Sequence, residues 1–150
     1  MMTLSDKEYL QVNQALFSLT HAYEARMERE NPPEETGMTL YDCAVLMVLG
    51  MFAPLNSREL AQRMDVAPST ISVYVRRLTR KGLVCMERDQ EDRRNWWLHL
   101  SPAGQAAHAA IVDGTVRYTR DFLAALDEAE QQTLHRLLLK VSHEMGFTWQ

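Results

Sequence analysis

Residues 57–100 constrain this chain most, because they permit one order of short elements. Ser57-Arg-Glu-Leu-Ala-Gln-Arg-Met64 reads as a helix, and only Asp65-Val-Ala67 separates it from a second helix that begins at Pro68. Proline suits the first helical position, where its missing N–H forfeits no bond, whereas Ala67 offers no capping oxygen. The second helix is expected over 68–81, with Gly82 as the left-handed stop. Two runs of alternating hydrophobicity follow, 83–88 and 96–100, around the polar segment Asp89-Gln-Glu-Asp-Arg-Arg-Asn95. They predict a hairpin. Helix, turn, helix and hairpin in that order make a winged helix-turn-helix, whose second helix is shaped to enter a DNA major groove.

The second helix divides into two faces at 100° per residue. Ile71, Val75 and Leu78 form an apolar stripe with Tyr74 at its edge. Ser69, Thr70, Val73, Arg76, Arg77 and Arg80 fall on the other side, and Ser72 lies beside them. Short hydroxyl residues near the N-terminus allow close approach to DNA. Val73, apolar but turned outward, matches a thymine methyl, and Arg76 can donate two parallel bonds to a guanine edge. Arg77, Arg80 and Arg93 are placed to bind phosphate, which positions a protein without reading sequence. Arg94, in the hairpin loop, suits a narrow minor groove, and Asp92 is two residues away to fix its side chain or a loop N–H. Of the adjacent Trp96 and Trp97, one is expected in the core and the other part-exposed against a helix; neither is assigned to DNA.

The net charge is −4, which alone argues against a nucleic-acid partner. Its distribution answers this. Residues 57–94 hold nine Lys and Arg against six Asp and Glu, so the excess acid lies elsewhere. No apolar run is long enough to span a bilayer, and the polar, acidic start lacks a signal-peptide pattern. A cytoplasmic protein is expected, and Cys43 and Cys85 fit a reducing compartment better than a disulfide framework. No Gly-rich phosphate loop, nucleophile elbow or close metal-ligand pair is present, so no enzyme, cofactor or metal site is expected.

Long amphipathic helices flank the motif. Ser5-Asp-Lys-Glu8 is a capping box, followed by a stripe of Tyr9, Val12, Leu16, Leu19, Tyr23 and Met27. Asn31-Pro-Pro33 stops that helix, and a loop runs to Gly37. Thr39 caps a mainly apolar helix over 40–50. Ser101-Pro102 opens an alanine-rich helix, and Asp127-x-x-Glu130 opens the last, with Leu134, Leu137, Leu138, Val141 and Met145 on one face. The two terminal stripes carry more apolar surface than solvent tolerates, so they are expected to pack together and against a second copy.

These features together resemble the MarR family of bacterial transcription regulators. The resemblance is carried by residues 57–64 and 68–83, by Asp92-x-Arg94 in the wing, and by Leu98-His-Leu-Ser-Pro-Ala-Gly104. It implies a mainly α (α+β) winged helix-turn-helix forming one domain over 1–150. The DNA-binding lobe would span about 39–100, and the dimerisation helices about 5–30 and 102–146. It further implies a homodimer that represses from a double-stranded operator and responds to a small-molecule effector. In the family the effector pocket lies between the dimerisation helices and the DNA-binding lobe, where Tyr23, Met27, Met47, Met51 and Phe52 are candidates here. Two alternatives stand beside this reading. One is a winged-helix protein-interaction module without DNA binding. The other is a thiol-based redox sensor acting through Cys43; Cys43 and Cys85 otherwise both read as small core residues.

Overall fold

The computed structural model describes residues 3–30 and 36–146. The expected stop at Asn31-Pro-Pro33 and most of the loop after it lie outside the described residues. The chain divides into two compact units, Met1–Cys43 and Ala44–Gln150.

In the first unit, α1 spans Asp6–Glu30. The box at its start forms as the sequence predicts. The Glu8 carboxylate accepts from the Ser5 N–H at 2.8 Å and the Ser5 hydroxyl at 2.7 Å, and these bonds hold its pKa below the ordinary glutamate value. Of the predicted stripe only Met27 is buried; Tyr9, Val12, Leu16, Leu19 and Tyr23 are exposed. Helix α2 spans Leu40–Phe52 and straddles the two units. Thr39 caps it, since the Thr39 N–H and hydroxyl both donate to the Asp42 carboxylate and the Asp42 N–H reaches back to the Thr39 hydroxyl.

The second unit holds the winged helix. Helix α3 is Ser57–Met64, α4 is Pro68–Arg80, β1 is Val84–Arg88 and β2 is Trp96–Leu100. The start of α3 carries a reciprocal cap from Asn56, one residue before the helix. The Asn56 side chain accepts from the Glu59 N–H, and the Glu59 carboxylate accepts from the Asn56 N–H. Asp65 takes a left-handed conformation (φ 51°) after α3, which redirects the chain into α4 within three residues. As expected, α4 has Pro68 in its first turn, no side-chain cap from Ala67, and Gly82 at φ 71° beyond its end. The strands pair antiparallel from Val84 opposite Leu100 to Arg88 opposite Trp96. A further bridge joins Leu55 to Leu98 through both backbone N–H groups, a long-range pairing without a local signal. The core of this unit is built from Val45, Leu46, Leu49, Leu60, Ile71, Leu78 and Leu98, all essentially sealed from solvent.

Helix α5 (Pro102–Leu123) begins against the end of α4. The Ser101 hydroxyl donates to the Gly82 carbonyl at 2.6 Å, the Ser101 N–H donates to the Leu83 carbonyl at 3.0 Å, and the Gly104 N–H donates to the Ser101 oxygen at 3.0 Å. A Cβ at Gly104 would overlap the Leu83 carbonyl oxygen, so only glycine permits this approach. The Asp127–Glu130 box opens α6 (Glu128–Glu144), as predicted. The Gln131 amide donates to the Leu123 and Leu126 carbonyls and closes the turn between α5 and α6. No residue of α6 is buried, and Leu137, Leu138, Val141 and Met145 are exposed.

Gly104→Ala is expected to cost about 2 kcal/mol, because the obstacle is backbone and not a movable side chain. Thermal unfolding followed by circular dichroism should show a Tm lower by about 4–8 °C; an unchanged Tm would mean that this junction is slack.

Candidate nucleic-acid interface

Helix α4 presents the face the sequence assigned to it. Ile71, Val75 and Leu78 are buried, while Ser69, Ser72, Val73, Arg76 and Arg80 are exposed. Val73 keeps more than half of its surface in solvent (54%), the outward placement expected of a side chain meant for another molecule. Thr70 is half-buried. The Ser72 hydroxyl donates to the Pro68 carbonyl at 3.0 Å, so its proton is engaged within the helix and only its lone pairs face outward. The Arg77 guanidinium lies 5.3 Å from the centroid of the Tyr74 ring, which draws it along the helix edge toward the N-terminal side.

The wing loop is organised by two aspartates. Asp92 acts as the sequence suggested. Its Oδ1 accepts from the Arg94 N–H at 3.0 Å and lies 3.5 Å from Arg94 Nε, while the Arg94 side chain remains 95% exposed. Asp89 was not foreseen. Its Oδ1 accepts from the Glu91 N–H at 2.8 Å and the Asp92 N–H at 3.0 Å, and its Oδ2 accepts from the Trp97 indole N–H at 2.6 Å. These donors, the Asp92 N–H foremost, hold the Asp89 pKa below its ordinary value. An Asp followed by polar residues in a hairpin loop is a recognisable turn-forming signal. Backbone bonds from Asp89 to Asn95 and from Asn95 to Asp92 complete the loop. Arg93 is exposed, and its carbonyl accepts from Arg88 Nε at 2.7 Å.

The expected division of the tryptophans does not occur. Trp96 is exposed and Trp97 half-buried, and neither enters the core. Alternation placed Trp96 on the same face as Leu98 and Leu100, but the hairpin has already run past the core at that point. Trp97 is retained on the outer face by its bond to Asp89.

The five pocket candidates are dispersed in character. Met27 is buried, Met47 and Phe52 are half-buried, and Tyr23 and Met51 are exposed. Phe52 carries the Arg63 guanidinium 3.8 Å above its ring. Two cavities of about 260 and 300 Å³ lie elsewhere in the second unit. The first is lined by residues that include Pro54, Arg88 and Trp97, the second by residues that include Gly50, His99 and His108. Cys43 is buried, and burial together with the neighbouring Asp42 carboxylate pushes its thiol pKa up, away from the thiolate a redox sensor needs. Cys85 is half-buried on β1. Among the described residues no group of His, Cys, Asp or Glu is placed to hold a metal ion, and no helix is long and apolar enough to cross a membrane.

The family model for MarR matches residues 36–95, from the start of α2 through the wing loop. The chain belongs to the MarR family. A Thauera aromatica protein named for regulation of the hcr operon is 37% identical over 97 residues, 65% of this chain and 58% of that one. A Pseudomonas aeruginosa protein crystallised under the description of a transcriptional regulator is 30% identical, with a TM-score of 0.74, over 87% of this chain and 96% of that one. Streptococcus pneumoniae FabT, crystallised with DNA, has the same fold at 17% identity and a TM-score of 0.80, over 92% of this chain and 97% of that one. In this MarR-family chain, Asp92-x-Arg94 is a loop brace that carries an exposed cation, and Ser101-x-x-Gly104 is the junction between α4 and α5.

The lowered Asp89 pKa gives the wing a pH dependence whose sign is fixed. A carboxylate depressed in the folded state contributes above its unfolded pKa of about 3.9 and loses that contribution as pH falls through the folded value. The Trp97 indole proton resonance should therefore hold its position down to about pH 4 and move only below the ordinary aspartate range. Movement centred at or above that range would contradict the bonding described.

Proposed function

We propose that this chain is a sequence-specific DNA-binding transcription regulator. It acts as a homodimeric repressor on a double-stranded operator and is released by a small-molecule effector. The observation that carries the reading is the joint presentation of two cationic elements. Helix α4 offers Val73, Arg76 and Arg80 outward, and the adjoining wing offers Arg94 on a loop braced by Asp89 and Asp92. FabT, which shares the fold, binds DNA.

Ser69, Thr70, Val73 and Arg76 read base edges in the major groove, with Ser72 contributing only as an acceptor. Arg77, Arg80 and Arg93 hold phosphates. Arg94 enters the minor groove, and Asp92 fixes its backbone while leaving the guanidinium extended. The apolar surfaces of α1 and α6 are covered by the second copy, which sets two recognition helices about one DNA turn, or a multiple of it, apart. Repression then follows from occupancy of a promoter. An effector acts through different affinities for dimers competent and incompetent for DNA. With acid in excess over the whole chain, non-specific binding is weak and base contacts carry specificity.

Arg94→Ala is expected to weaken operator binding by about 1–3 kcal/mol at physiological salt. Gel shift with the DNA upstream of the chain's own gene measures it, and the same titration should saturate at two chains per duplex. Unchanged affinity, or one chain per duplex, would contradict the assignment.

A further inference from the structure

We infer that Arg88 and Trp96 form an additional DNA contact at the root of the wing, with the guanidinium on a backbone phosphate and the indole as the platform that aims it. This rests on the DNA-binding reading above and extends the interface to two residues that reading leaves unused.

Arg88 and Trp96 are the last cross-strand pair before the loop. Side chains alternate along a strand, so they share the face that carries Val84, Leu98 and Leu100, all buried. The strands bearing that face pack against α3 and α4. At the loop end the helical support stops, and the face emerges into solvent with Trp96 43% and Met86 42% exposed. The hairpin therefore exposes an indole and a guanidinium at the base of the loop that carries Arg94.

The pair is preorganised. The Arg88 guanidinium carbon lies 5.7 Å from the Trp96 ring centroid, and Nε donates to the Arg93 carbonyl at 2.7 Å. These contacts fix the plane of the guanidinium while using one of its donors. The remaining donors keep the fork geometry that suits a phosphate. Three of the neighbouring carboxylates are turned away or engaged elsewhere. Glu87 points to the opposite face, Asp89 is occupied by the Glu91, Asp92 and Trp97 N–H groups, and Asp92 is engaged with Arg94. An indole cannot stack on bases in an intact duplex without unstacking them, so the sugar–phosphate backbone is the matching surface.

The experiment measures binding of the duplex upstream of the chain's own gene across a salt series for the parent, Arg88→Gln, Arg88→Lys and Trp96→Leu. A phosphate contact contributes about 0.9 to the slope of log affinity against log salt. Arg88→Gln should lower the slope by about that amount per chain. Arg88→Lys should keep the slope, although it too loses the Nε bond to Arg93. Trp96→Leu should keep the slope and weaken binding about two- to fivefold. A parental slope in Arg88→Gln, or equal losses in the Gln and Lys variants, overturns the inference. Arg94→Ala serves as the control. If it weakens binding while Arg88→Gln does not, this inference alone falls; if the parent shows no salt-dependent binding, the DNA-binding reading falls with it.

Discussion

Two carbonyl groups just past the end of α4 tie the winged helix to the helix that follows it. Gly82 and Leu83 present their oxygens to Ser101, whose hydroxyl and N–H both donate there. The same serine caps α5. One residue thus ties the exit of α4, the closing strand of the wing and the start of the following helix. Gly104 allows the approach, because any side chain there would strike the Leu83 carbonyl. The junction adds hydrogen bonds to the apolar packing of Ile71 and Leu78 in the same core as Leu98, and so helps to fix where α5 begins against the wing.

The wing adds a second level of constraint. Its tip has no hydrophobic support, so its shape depends on hydrogen bonds. Asp89 gathers two backbone N–H groups and an indole, and Asp92 gathers the Arg94 N–H. Both are charge-assisted bonds on an exposed loop, where neutral residues would hold less well. The consequence is a cationic tip that is ordered yet open. Buried ion pairs would have ordered it at the cost of presenting it.

Much of this was legible in the sequence because the controlling signals are local. The caps at Ser5, Thr39, Ser101 and Asp127, the proline at the start of α4 and the glycine after it all act within four residues, and each lies where expected. The Asn56–Glu59 box is an equally local signal, four residues long. The bridge from Leu55 to Leu98 was not legible, since it joins residues far apart in the chain. The tryptophan pair misled because alternation assigns a face but not the point at which a strand leaves the core. Ser72 adds what the helical wheel does not show: a hydroxyl on an outward face can still donate back to its own helix. Pocket candidates chosen by residue type spread from buried Met27 to exposed Met51, because adaptability of a side chain says nothing about its neighbours.

The central claim is that α4 and the wing dock on a duplex as one rigid pair. Hydrogen–deuterium exchange with and without operator DNA tests it most directly. The account predicts simultaneous protection of Pro68–Arg80 and of the loop at 89–95, with equal dependence on DNA concentration. Protection of one without the other, or protection confined to α1, would contradict it.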